Sequence, residues 1–68
     1  MDNASEREPL YQVWATDTET GKPVPVPYFP RMRQDVVEEF AATMRMMIAA
    51  GKEKRYSNPE ALRHISLT

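Results

Sequence analysis

The chain contains no cysteine, which excludes a disulfide framework and a thiolate metal site and leaves only a core, or a second molecule, to hold the fold together. It has one histidine, His64, so neither a histidine-based metal centre nor a nucleophile–base pair is indicated, and no serine stands in a nucleophile-elbow context. Its two glycines, Gly21 and Gly51, are too far apart for a phosphate-cradling loop. No apolar run approaches the roughly 20 residues that span a bilayer, and Met1 to Glu8 is too polar for a signal peptide, so no membrane is expected and the compartment read from the sequence is cytoplasmic. No catalytic set and no cofactor is expected.

Charge of one sign is also scarce. The net charge of -1 argues against a general polyanion binder. The charges are nevertheless unevenly placed. Residues 1–30 hold Arg7 and Lys22 against Asp2, Glu6, Glu8, Asp17 and Glu19, whereas residues 31–68 hold seven Lys or Arg against Asp35, Glu38, Glu39, Glu53 and Glu60. At 68 residues the chain makes one domain at most, and burial at this size exceeds conformational entropy by only about 3–5 kcal/mol.

What the chain does have is proline, at every second position of Lys22-Pro23-Val24-Pro25-Val26-Pro27-Tyr28-Phe29-Pro30. Successive residues of an extended strand point their N–H and C=O groups to opposite sides, so Pro23, Pro25 and Pro27 remove donors from one edge only. The other edge, carrying the N–H groups of Val24, Val26 and Tyr28, stays able to pair. The segment therefore reads as an edge strand that resists aggregation, with Val24, Val26 and Tyr28 on one face. The PxxP spacing of Pro27 to Pro30 beside Arg31 also matches polyproline ligands, but the alternation fits an edge strand better.

Residues 1–8 have nothing to bury and read as a disordered tail, with one domain over 9–68. Leu10 to Thr16 is aromatic and β-branched and reads as a strand, and Asp17 to Lys22 supplies turn chemistry ending at Gly21, so a β-hairpin is expected. A two-stranded hairpin is unstable alone and needs a cover. From about Arg33 to Ala50, residues Val36, Val37, Phe40, Ala41, Met44, Met47 and Ile48 fall within a 140° arc at about 100° per residue, which predicts an amphipathic helix laid on the sheet. Gly51 is placed as its C′ residue, while no Ser, Thr, Asn or Asp stands as N-cap. Asn58-Pro59-Glu60 is a helix-start signature and predicts a short second helix from Pro59 to about His64; the competing reading is a third strand near Lys54 to Ser57. The expected fold is thus a small single α+β domain, a β-hairpin packed against one amphipathic helix, with a short C-terminal helix or strand.

A helix covers only one face of a two-stranded sheet, so whichever of Tyr11 and Trp14 lies on the outer face is an aromatic anchor for a partner. Arg31 and Arg33, just before the helix, extend that contact, and Met46, which falls among polar residues on the wheel, suits self-association. Asp35, Glu38 and Glu39 near the helix start serve the helix dipole rather than a cation. The leading expectation is a non-enzymatic protein-binding module, with Tyr11, Trp14, Arg31, Arg33 and Met46 as contacts. Such a chain acts as an adaptor or inhibitor that docks on a larger host or cellular protein, a class that includes small viral regulators of bacteriophage origin. Two alternatives stay open. One is a nucleic-acid-associated regulator using Lys52, Lys54, Arg55 and Arg63, with Tyr56 available to stack. The other is a structural subunit of a homo-oligomer, a homodimer being the simplest.

Overall fold

The computed structural model describes residues 9–64; the tail expected over residues 1–8, and the last residues 65–68, lie outside them. The fold is a small α+β domain of order ββαβ: β1 (Tyr11–Asp17), β2 (Pro23–Pro25), α1 (Gln34–Ala49) and β3 (Tyr56–Arg63). The three strands form one antiparallel sheet in the order β2-β1-β3, which puts the most apolar strand in the middle.

The alternating prolines act as expected. β2 pairs with β1 through Ala15 opposite Val24, and the Val26 N–H extends the pairing to the Val13 carbonyl at 2.8 Å, so the proline positions face away from the sheet. The hairpin turns through Asp17 to Lys22, where the Glu19 N–H bonds the Asp17 carboxylate at 2.8 Å and Gly21 takes a φ of 74°. Tyr28 departs from expectation. It lies in a turn past the strand and is half exposed. The aromatic that reaches the core from this turn is Phe29, whose ring stacks on Phe40 of α1 at 4.9 Å. The helix packs on β3 and β1 and not on β2, and Phe29 fills the space beside it.

α1 buries Val37, Ala41 and Met44 completely, with Phe40 and Ile48 packed around them against Val13, Ala15 and Val26 of the sheet. That is the arc set by the sequence periodicity. Arg33 occupies the N-cap position without a side-chain cap. At the other end the Lys52 N–H bonds the Met47 carbonyl at 2.9 Å and the Gly51 N–H bonds that of Ile48 at 3.0 Å, with Gly51 at φ 75°. This pair of bonds is the Schellman motif, which closes the helix on a left-handed residue.

The C-terminal segment overturns the helix expectation. Residues 56–63 form the third strand rather than a helix from Pro59, and the strand is longer than the competing reading of 54–57 allowed. Asn58 is not an N-cap. Its φ of 52° and the shift in register between Trp14–Glu60 and Thr16–Ser57 mark a bulge, with Asn58 and Pro59 the extra length on β3. Asn tolerates the left-handed conformation and Pro is accepted at a bulge on an edge strand, so the dipeptide serves a strand defect as well as it serves a helix start.

Candidate functional site

The parity of β1 sorts the candidate residues onto two faces. Odd positions Tyr11, Val13 and Ala15 face α1, and cross-strand partners share a face, so Ala61 and Arg63 lie on the helix side with them. Even positions Gln12, Trp14 and Thr16 face outward together with Pro25, Pro23, Glu60, Leu62 and Ser57. The two aromatic candidates therefore separate: Tyr11 packs against the core, while Trp14 stands on the outer face between Pro25 and Glu60. No described helix or strand lies over this face; the loop after β2 covers Gln12, and Trp14 is partly buried. Leu62, diagonal to Trp14, is 43 % exposed, and Leu10 just before the strand is 45 % exposed.

Arg31 joins the same face through a residue that the sequence did not single out. Gln12 is buried, and its Nε2 donates to the carbonyls of Val26 (3.3 Å) and Phe29 (3.4 Å), while Arg31 Nε donates to its Oε1 at 3.2 Å. One side-chain amide thus fastens the loop after β2 to the central strand, and Arg31 rims a concave patch lined by Gln12, Pro25, Pro27 and Phe29. Arg33 stands apart at the start of α1, in an exposed ion pair with Asp35 at 2.9 Å. Met32 bridges to Tyr11 on the side opposite Arg63, so Arg31, Arg33 and Arg63 gather at one end of the sheet around Tyr11. Met46 is 72 % exposed on α1, beside Thr43, Met47 and Lys52.

The basic run is divided rather than collected. Arg55 forms a two-point pair with Asp17, Nε to Oδ1 and Nη2 to Oδ2 both at 3.1 Å, and its Nη1 lies 3.5 Å from Glu19. Glu53, which interrupts the run in sequence, holds the connection: its Oε2 accepts from the N–H groups of Arg55 (2.8 Å) and Tyr56 (3.1 Å), and its Oε1 accepts from the Tyr28 hydroxyl at 2.8 Å. The Thr18 hydroxyl bonds the Arg55 carbonyl at 2.8 Å, tying the same connection to the hairpin turn. Lys52 and Lys54 are exposed at this end, whereas Arg63 sits at the far end of β3, about 25 Å away for a strand of this length.

These contacts set the electrostatics. The Arg55 guanidinium and the Glu19 N–H hold the Asp17 carboxyl below its ordinary range. The Tyr28 hydroxyl and the backbone donors lower Glu53 in the same way. Desolvation, with the neighbouring Glu53 carboxylate, pushes the Tyr28 hydroxyl up to about 12. Asp17, Glu53 and Gln12 were invisible as a set because their partners lie 14 to 38 residues away in sequence.

Among the described residues, no group of three or more His, Cys, Asp or Glu is placed to hold a metal ion, and no helix is long and apolar enough to cross a membrane. Compared with known proteins, the chain matches no family model, no curated protein and no solved structure.

Proposed function

We propose that this chain is a protein-binding module that docks on a larger partner through the outer face of its sheet, with Trp14 as the anchor and Arg31 as a polar contact on the rim. The observation that carries the reading is the position of Trp14: on the face away from α1, flanked by Pro25 and Glu60, with Leu62 exposed on the diagonal. Indole combines a large apolar area with one N–H donor, and such residues dominate binding energy where they sit at the centre of a patch. The face is held in shape independently of any partner, because Gln12 locks the β2 loop to β1 beneath Arg31. A preformed patch of this kind spends little ordering entropy on binding. In this reading the protein performs no chemistry and acts as an adaptor or inhibitor.

The test compares wild type with Trp14→Ala and Arg31→Ala in affinity capture, with each variant's fold verified by circular dichroism. Capture of one protein that survives nuclease and moderate salt, and is lost with Trp14→Ala, supports the reading. An undiminished capture by folded Trp14→Ala overturns it. Capture that disappears with nuclease replaces it with phosphate-backbone binding, which falls steeply with salt.

A further inference from the structure

The two edges of the sheet differ. β2 turns its prolines outward and offers no donors there. β3 closes only half of its edge. Around the bulge, Pro59 has no N–H, and its carbonyl accepts from Arg45 Nη2 at 3.0 Å, so α1 caps the edge at that point. Beyond it the edge opens. The His64 N–H bonds the Leu10 carbonyl and the Thr18 N–H bonds the Arg55 carbonyl, which shows that even positions of β1 point toward β3. With Gln12 opposite Leu62 and Trp14 opposite Glu60, the inward groups of β3 are those of Glu60 and Leu62. The N–H and C=O groups of Ala61 and Arg63 therefore point away from the sheet, and no described element pairs with them.

We propose that this open half of β3 pairs antiparallel with the same segment of a second copy of the chain, about a two-fold axis through Leu62. The inference does not rest on the docking reading, which concerns the sheet face around Trp14, although Leu62 borders both surfaces. The register follows from parity. Ala61 of each copy lies opposite Arg63 of the other and the two exchange both backbone hydrogen bonds, giving four in all, while Leu62 meets Leu62 as the non-bonded pair on the outer face. No like charges stand directly opposite. Charge complementarity favours a second copy over an arbitrary strand, through Glu38, because the one cation lining the cleft beside Ala61, Arg45, is turned to the Pro59 carbonyl. Ala61 lies on the helix side, in a cleft formed with Glu38, Ala41, Arg45 and Glu60. In this register Arg63 of the second copy enters that cleft opposite Ala61, within reach of Glu38, and symmetry makes the contact twice. Glu38 accepts a hydrogen bond on Oε2 from Gln34 Nε2, one turn earlier on α1, at 3.0 Å. The dimer joins two three-stranded sheets into one of six strands. It covers Leu62, which is 43 % exposed in the single chain. Four backbone bonds and one leucine pair place it at the small end of interfaces, below about 1,200 Å², so association is weak.

Sedimentation equilibrium of the full chain from micromolar to millimolar concentration tests this. Wild type is expected to pass from monomer to dimer. Ala61→Pro, which copies on β3 the outward prolines of β2, is expected to stay monomeric, and Leu62→Lys, at an exposed position that does not bear on the core, to shift the midpoint upward by about tenfold or more. Glu38→Arg and Arg63→Glu should each weaken the dimer and the double variant restore it. A wild type that is monomeric throughout overturns the proposal. So does a dimer that Leu62→Lys leaves unchanged, an outcome that decides the matter even if Ala61→Pro fails to fold.

Discussion

One three-stranded sheet carries two faces that the chain treats in opposite ways. On the helix side, Val13, Ala15 and Val26 are buried against Val37, Ala41 and Met44, and the aromatic rings of Phe29 and Phe40 close the flank. On the outer side, Gln12 alone is buried, by polar contacts to a loop, and Trp14, Leu62, Pro23 and Pro25 have no layer over them among the described residues. The difference separates two tasks. A domain this small gains its marginal stability from one packed interface. The largest side chain of the chain, Trp14, stands on the other face, where it is partly buried and no described helix or strand packs on it.

Substitutions on the two faces break or sharpen that contrast, beginning with the core. Met44→Ala removes a fully buried side chain at the centre of the helix side. Its cost of about 2–5 kcal/mol is comparable to the whole stability of such a domain, and urea denaturation followed by far-UV circular dichroism should find the variant largely unfolded in water. Trp14→Ala should cost only about 1–2 kcal/mol in the same measurement, because the indole is partly exposed and no second layer packs on it. An equal loss for both variants would mean that the outer face is as buried as the inner one.

The end of the molecule that holds Asp17, Arg55, Glu53 and Tyr28 belongs to neither face and responds to pH instead. Asp17 and Glu53 have lowered values in the fold, so the stability they contribute is present above the ordinary carboxylate range and is lost as pH falls through their folded values. Asp17→Asn should flatten the acid limb of a thermal melt series taken from neutral to low pH. Arg55, the ion-pair partner of Asp17, is 52 % exposed and screened, so the effect is smaller than that of either apolar substitution. The tyrosine runs the other way. Tyr28 is raised from 10.0 to about 12, so its contribution is intact below 10.0 and is lost as pH rises through the folded value. Tyr28→Phe should remove the alkaline transition between those two points. Smallest of all, Met46→Gln on the exposed side of α1 should change stability within about 0.5 kcal/mol.

Much of this fold is written in local pattern. The outward prolines of β2 and the apolar arc of α1 each follow from a periodicity of two or of 3.6, and Gly51 is a helix stop by backbone chemistry alone. Asn58-Pro59 shows where local pattern ends. The same left-handed tolerance and missing donor suit a helix start and a strand bulge, and only the long-range pairing of β3 with β1 selects between them. For the site, alternation within Leu10 to Thr16 placed aromatics on both faces but could not say which face the helix takes. That choice rests on Val13 and Ala15 being the residues that fit beneath Val37 and Met44. Arg55 illustrates the remaining gap: read as a free cation in a basic run, it is held by an aspartate 38 residues away, a pairing that no window of sequence contains.

The central claim, that no second layer packs on the outer face around Trp14, has a direct probe because Trp14 is the only tryptophan of the chain. Acrylamide quenching of its fluorescence in the folded full-length protein reads the accessibility of that face alone. Because Trp14 is partly buried, the account expects quenching to fall between that of a fully buried indole and the value in denaturant, with protection appearing on addition of a captured partner. An indole that is shielded in the free monomer and becomes accessible only on unfolding would contradict it.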